Sequence, residues 1–271
     1  VPELAAALSE QGTEDLARAI MTTDTVPKTA HRIVALEGKS ITVVGVAKGA
    51  GMIRPNMATL LSFLWTDAAA TPDVLASILR SAVDATFNRI TVDGDTSTND
   101  TVLLLAGGGA GLSAETPKVK IALETAVNEV LGDLARALVK DGEGVTKLAE
   151  IWVRGAGSGA EARQIADTVA NSNLVKTAFF GEDANWGRIL AAAGRAGVVF
   201  DPDRVDLFFD GVQMVKGGAG CGREAEAEAT KVLQQPEFTV TLDLHRGRGK
   251  ASVLTCDFSV DYVKINADYR S

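Results

Sequence analysis

The sequence predicts an α/β protein of the α+β kind, with mixed β-sheets backed by helical layers. Short β-rich runs interleave along the chain with longer runs whose apolar residues recur at helical spacing. Tight-turn pairs, Glu37 with Gly38 and above all Asp210 with Gly211, join neighbouring β-rich runs, so antiparallel hairpins belong in the sheets. The composition, 46% hydrophobic and 23% charged over 271 residues, is globular and large enough for one large domain or two modest ones. No internal repeat or low-complexity linker interrupts it.

Taken in order, residues 2–7 open directly in a helical pattern and position 1 is Val, which reads as the middle of a longer polypeptide. Thr13 before Glu14 and Asp15 reads as an N-cap with an acidic first turn; Leu16, Ile20 and Met21 share a face, and the helix stops at Thr22. Residues 32–35 and 41–46 form a hairpin. The run 60–65 is almost wholly apolar, as in a strand covered on both faces, and 101–106 is a further apolar strand. Val74, Leu75, Ile78, Leu79 and Val83 follow Thr71 and Pro72 as an amphipathic helix, and Leu123, Val127, Val130, Leu131, Leu134 and Leu138 mark another. Strands are expected at 148–153, 205–209, 212–215, 238–244, 252–258 and 262–265, with helices around 165–169, 186–193 and 224–233.

Charge and apolar run length exclude several functions. Asp plus Glu outnumber Lys plus Arg by 35 to 27, and no basic cluster forms a phosphate-tracking patch, so nucleic acid is not an expected partner. The longest apolar runs fall far short of the roughly 18 residues that span a bilayer, and no charged-then-apolar leader opens the chain, so a cytoplasmic protein without membrane contact is expected. Cys221 and Cys256 lack metal-ligand spacing and read as reduced, partly buried thiols, with neither a disulfide framework nor a zinc site.

His31 and His245 are the only histidines, and neither stands near a Ser or Cys motif. A hydrolase built on Ser/His/Asp or Cys/His would have to use one of them; both read as surface residues. An acyl-transfer enzyme with this sequence must find its base elsewhere. A terminal α-amine, with a pKa of about 7.7 to 8.0, can take the hydroxyl proton of its own Thr or Ser. Residues 93–100 place oxygen ligands at alternate positions as a calcium loop does, but Thr98 stands where the loop needs Gly and Leu104 where it needs a bidentate Glu. A polar loop bonding its own backbone accounts for them better. The glycines at 107–111 and 217–222 lack a following Lys-Ser/Thr pair and read as connections. In 48–59, glycines and a proline precede Ala58, Thr59 and a buried-type strand. A strained peptide there could present its carbonyl to a neighbouring hydroxyl, and a bland loop-to-strand junction explains the segment equally well.

AIMTTDTVPK (19–28), KGAGMIRPNMATLL (48–61), FNRITVDGDTSTNDT (87–101), KDGEG (140–144), VKTAFFGEDANWGRI (175–189) and DYVKINADY (261–269) are spread along essentially the whole chain. In this order they resemble the signatures of the ornithine acetyltransferase family, also called bifunctional glutamate N-acetyltransferase, of arginine biosynthesis. The resemblance implies an N-terminal-nucleophile-like, self-processing acyltransferase fold whose precursor cuts itself between Ala58 and Thr59. Residues 1–58 are then the C-terminal part of the α chain and 59–271 the β chain, both from one precursor, assembled as an α2β2 heterotetramer. Thr59 is the implied nucleophile. It takes acetyl from N2-acetylornithine, releases ornithine and passes the acetyl to glutamate, with no metal or organic cofactor; use of acetyl-CoA as a further donor stays open. Thr22, Lys48, Thr59, Glu143, Asn266 and Ser271 match the family's substrate contacts. Lys48 suits a substrate carboxylate or a lowered Thr59 amine pKa, and Glu143 suits a cationic group. The family's oxyanion-hole Thr-Gly pair lies upstream of the segment matching Val1, so this chain is expected to be a fragment or to have that portion supplied separately. The competing readings are a Thr-nucleophile aminopeptidase or amidase of similar architecture, and a non-catalytic or calcium-binding fragment.

Overall fold

A computed structural model describes residues 2–7, 9, 12–36, 38–54, 60–96 and 99–268. Two units make up the chain, one of residues 1–88 and 95–141, the other of residues 89–94 and 142–271. The expected α+β class is what forms: mixed sheets with helices packed on them.

In the first unit, α1 (Pro2–Ala6) and α2 (Thr13–Ala19) precede the hairpin of β1 (Lys28–Leu36) and β2 (Lys39–Lys48). β2 pairs antiparallel with β3 (Leu61–Thr66), which leads through α3 (Pro72–Ala85) to its parallel neighbour β4 (Thr101–Ala106), giving the order β1-β2-β3-β4. α4 (Pro117–Lys140) follows. α3 and α4 both open on Thr then Pro, where the missing proline N–H is one that no helical carbonyl would have accepted. Buried Leu123, Val127, Val130, Leu131, Leu134 and Leu138 give α4 one continuous apolar stripe. That stripe meets the sheet at Gly45, where a Cβ would come within 2.8 Å of Val130 Cγ1 and 3.0 Å of Leu134 Cδ1. Two expectations change here. β3 is not covered on both faces: Ser62, Leu64 and Thr66 are buried, whereas Leu61, Phe63 and Trp65 are half-buried, because α4 approaches from the Leu64 side alone. Thr13 is the first residue of α2 rather than its cap; Gly12 precedes it, and the helix ends before Ile20.

The second unit runs β5 (Leu148–Ala156), α5 (Gly159–Ala170), α6 (Asn173–Phe180), α7 (Trp186–Gly194), β6 (Asp206–Phe209), β7 (Val212–Lys216), β8 (Ala219–Gly220), α8 (Arg223–Leu233), β9 (Glu237–Asp243), β10 (Gly249–Cys256) and α9 (Val260–Asp268). Its sheet has the order β10-β5-β9-β6-β7-β8, and only β5 and β9 pair in parallel. Alternate residues of the central strands, such as Ile151, Val153, Val240 and Leu242, enter one core with Ile165, Val169 and Phe179 from the helices. Phe179 meets Phe238 edge-to-face at 5.1 Å between ring centres. Ser158 caps α5 by accepting the Glu161 N–H at 3.2 Å, while Glu161 reaches back to the Gly157 N–H at 3.1 Å. Asp210 turns the β6–β7 hairpin with φ of 48°.

The strand expected at 262–265 is instead the interior of α9. Ser259 Oγ accepts the Tyr262 N–H at 3.3 Å and Asp261 sits in the first turn, so a cap and the helix dipole override the β-preference of Tyr262, Val263 and Ile265. α6 has no counterpart in the sequence reading; its pattern is short and sits inside the VKTAFFGED stretch. Cys221 is exposed rather than partly buried, while Cys256 is buried and its thiol pKa is pushed up by desolvation. No helix among the described residues is long and apolar enough to cross a membrane.

Candidate functional site

Ala58, Thr59 and Ser271 lie outside the described residues. Two paired strands bracket the Ala58–Thr59 bond in the chain. β2 ends at Lys48 and β3 begins at Leu61, and those two residues are register partners, so the stretch carrying the bond connects adjacent antiparallel strands. Leu60, the residue after Thr59, is buried and held at both its backbone N–H and its carbonyl. Its N–H donates to Asp100 Oδ1, and its carbonyl accepts the Thr101 N–H at 2.8 Å. The second oxygen of Asp100, Oδ2, is buried with no hydrogen-bond partner. Burial pushes the Asp100 carboxyl up to about 6, against the opposing pull of the Leu60 N–H and the Lys48 charge.

Thr22 and Lys48 come together in the same unit, with Lys48 Nζ 3.5 Å from Thr22 Oγ1. Sequence reasoning passed over the group that holds them there. Asp24, its side chain 0% exposed, accepts the Thr22 N–H at 3.1 Å and the Gly49 N–H at 2.7 Å, joining the segments that carry the two candidates. Lys28 pairs with Asp24 at 2.6 Å and with Asp141 at 2.5 Å, and Asp141 accepts the Thr25 N–H at 3.0 Å. Burial alone would raise the Asp24 pKa; the Gly49 N–H, Lys28 and the Thr22 N–H outweigh it and hold the carboxyl below its usual range. A buried ammonium between two carboxylates that also bond backbone N–H groups is satisfied on all sides, which is what burying such charges requires. Asp24 stands inside the MTTDT stretch and Asp100 inside STNDT, but nothing in their spacing sets them apart from other loop aspartates.

In the second unit Asn266 Nδ2 donates to Glu143 Oε2 at 2.8 Å and to the Tyr262 carbonyl at 3.1 Å. The helical form of α9 makes this contact, since it sets Asn266 one turn beyond Tyr262. Ser259 Oγ also donates to the Gly144 carbonyl at 2.6 Å, so the Glu143 loop is tied to the start of α9. Gly144 has φ of 68°, and a Cβ there would run into the Tyr262 N and stand 2.8 Å from Ser259 Oγ. The arrangement offers a half-buried carboxylate oriented by one amide, suited to a cationic ligand group.

The histidines take no part in these clusters. His31 is exposed on β1, and His245 Nε2 lies 2.9 Å from Asp206 Oδ2 beside β6. Among the described residues no three His, Cys, Asp or Glu side chains are grouped to hold a metal ion.

The chain matches the ArgJ family over residues 1–271. It is 55% identical over 273 residues to the arginine biosynthesis bifunctional protein ArgJ of Geobacter sulfurreducens, an alignment covering all of this chain and 70% of the relative. The protein of the same name from Methylococcus capsulatus is 50% identical over 278 residues, covering all of this chain and 67% of the relative. A crystal structure of the arginine biosynthesis bifunctional protein ArgJ from Bacillus halodurans resembles this one with a TM-score of 0.70 at 40% identity, covering 75% of this chain and 96% of that one.

Proposed function

The chain belongs to the ArgJ family, the ornithine acetyltransferase and glutamate N-acetyltransferase enzymes of arginine biosynthesis, and from that premise we propose that its acetyl transfer passes through an ester on Thr59. Self-cleavage comes first. Thr59 Oγ bonds to the Ala58 carbonyl carbon, the Ala58–Thr59 C–N bond breaks as the nitrogen gains the hydroxyl proton, and water hydrolyses the resulting ester. The products are an Ala58 carboxylate and an N-terminal Thr59 with a free hydroxyl and amine. In turnover the Thr59 amine takes the hydroxyl proton as Oγ attacks the acetyl carbonyl of N2-acetylornithine, and ornithine leaves with that proton. The α-amine of glutamate then attacks the ester, and N-acetylglutamate leaves as the hydroxyl is restored.

Lys48 and Thr22 meet the α-carboxylate shared by both amino acids, Glu143 held by Asn266 meets a cationic group, and Ser271 joins the contacts. The observation that carries this reading is the Lys48–Leu61 pairing, which puts Lys48 and Thr22 at the mouth of the connection that contains Thr59. The two chains assemble as α2β2 and work in the cytoplasm.

The test uses the full-length precursor. Wild type is expected to yield a fragment beginning Thr-Leu-Leu-Ser-Phe and to move labelled acetyl from acetylornithine to glutamate faster than it hydrolyses acetylornithine, and the same assay with acetyl-CoA reads the second donor. Thr59→Ser should still be cut. Thr59→Ala should stay whole and inactive, and its cleavage at the same bond would sink the mechanism.

A further inference from the structure

We infer that Asp100 is a positioning residue for self-cleavage, its carboxylate gripping the Leu60 N–H and thereby fixing the peptide that carries Thr59. The inference rests on the reading of Thr59 as the nucleophile and adds a residue to it that the sequence pattern left in a polar loop.

Covalent geometry sets the reach. The nitrogen of Thr59 is three bonds from the nitrogen of Leu60, so the two are never more than about 3.7 Å apart. A carboxylate bonded to the Leu60 N–H therefore stands next to the scissile peptide whatever conformation Thr59 takes. The grip is two-sided, since the Thr101 N–H holds the Leu60 carbonyl at 2.8 Å, and β4 then continues in register beside β3 from the Leu61–Thr101 pair onward. Residues 100 and 101 thus clamp the first residue beyond the nucleophile to a sheet strand.

The unsatisfied oxygen distinguishes this carboxylate from an ordinary structural one. The buried Asp24 in the same unit uses both oxygens: Oδ1 and Oδ2 take Gly49, Lys28 and Thr22 between them. Asp100 Oδ2 is buried and bonds nothing among the described residues, a rare condition in native proteins. An amide of the same shape would accept the Leu60 N–H without a desolvated charge, so what the carboxylate contributes is the strength of a charge-assisted bond. Lys48, at the end of β2, is the charged side chain whose field reaches Asp100, and it favours the ionised form. With the carboxyl pushed up to about 6, that grip weakens just below neutral pH.

The experiment follows self-cleavage of the full-length precursor from pH 5 to pH 8 in wild type, Asp100→Asn and Asp100→Ala. Wild type is expected to slow by about 10-fold as pH falls through 6, the difference between a charge-assisted and a neutral hydrogen bond. Asp100→Asn, which keeps the acceptor and loses the charge, should show the slow rate at every pH with no step, and Asp100→Ala should be slower still. A pH step near 6 retained in Asp100→Asn overturns the inference alone. A wild-type precursor that stays whole at every pH overturns the Thr59 reading and this inference with it.

Discussion

Glu143 and Asp100 are both half-buried carboxylates, and the proposed mechanism gives them different tasks. Glu143 is oriented by Asn266 and faces no buried orphan atom, so its loss should be felt in substrate recognition. A charge-assisted contact is worth about 1.5 to 3 kcal/mol, so Glu143→Gln should lower kcat/KM for acetylornithine by roughly 10- to 150-fold while self-cleavage proceeds. If processing slows and the fraction that is processed binds acetylornithine normally, Glu143 is structural. Asp100 should show itself in stability as well as processing. Its folded pKa of about 6 lies above the usual 3.8, so the folded protein binds a proton that the unfolded chain has released, and stability on this account falls as pH rises from about 4 to 6. In the uncleaved Thr59→Ala background, thermal melts should show Asp100→Asn gaining on its parent over that window; equal melting curves at every pH would contradict the raised pKa. On the proposed mechanism the Thr59 amine governs a separate limb. Acetyl transfer should rise with pH through an apparent pKa near or below 7.7 to 8.0, and His31→Ala and His245→Ala should leave that limb in place.

At the scale of elements, close backbone approaches make the sharpest predictions. α4 packs onto β2 through Gly45, and a methyl there overlaps Val130 and Leu134, both locked in the core. Gly45→Ala should cost about 1 to 3 kcal/mol, read as a lower denaturation midpoint with an unchanged m-value. The Asp24–Lys28–Asp141 cluster ties the segment before β1 to the residue after α4, and its Asp24 also accepts the Gly49 N–H after β2. Removing its cation strands two buried carboxylates, so Lys28→Met should cost about 3 to 5 kcal/mol. Because Asp24 titrates below its usual range, the cluster's contribution is in place above pH 4 and is lost as pH falls through the lowered pKa. The stability gap between wild type and Lys28→Met should therefore be full above pH 4 and narrow as pH falls below it, read from denaturant midpoints over a series of pH values.

For the whole molecule, the proposed cut passes between two paired strands. β1 and β2 lie before Thr59, β3, β4 and α4 after it, and β2 pairs with β3 over the Val43–Thr66 to Lys48–Leu61 ladder. The same β2 is covered by α4, so one sheet and one core hold both products. Cleaved α and β chains should therefore co-elute under native conditions and separate only in denaturant. Fragments that part in buffer would mean that the cut disrupts the sheet.

Periodicity alone was enough to specify the alternation of strands and helices, the Asp210 turn and the stripe of α4, because hydrophobic spacing and turn chemistry are local properties. The segments proposed to carry the chemistry stand out in the sequence as well, since Thr22, Lys48, Glu143 and Asn266 lie in runs that match the family in order. Tertiary structure decided the rest. Residues 262–265 carry β-forming side chains, and the Ser259 cap with Asp261 in the first turn makes them a helix. The run 60–65 is apolar throughout, but burial on one face depends on which side α4 approaches, and no local pattern encodes that. Asp24 and Asp100 looked like other loop aspartates because a carboxylate's role is set by which backbone N–H groups fold against it and whether water still reaches it. Those conditions join Thr22 to Gly49 and Leu60 to Asp100 across 27 and 40 positions of chain, and they exist only once the strands have paired.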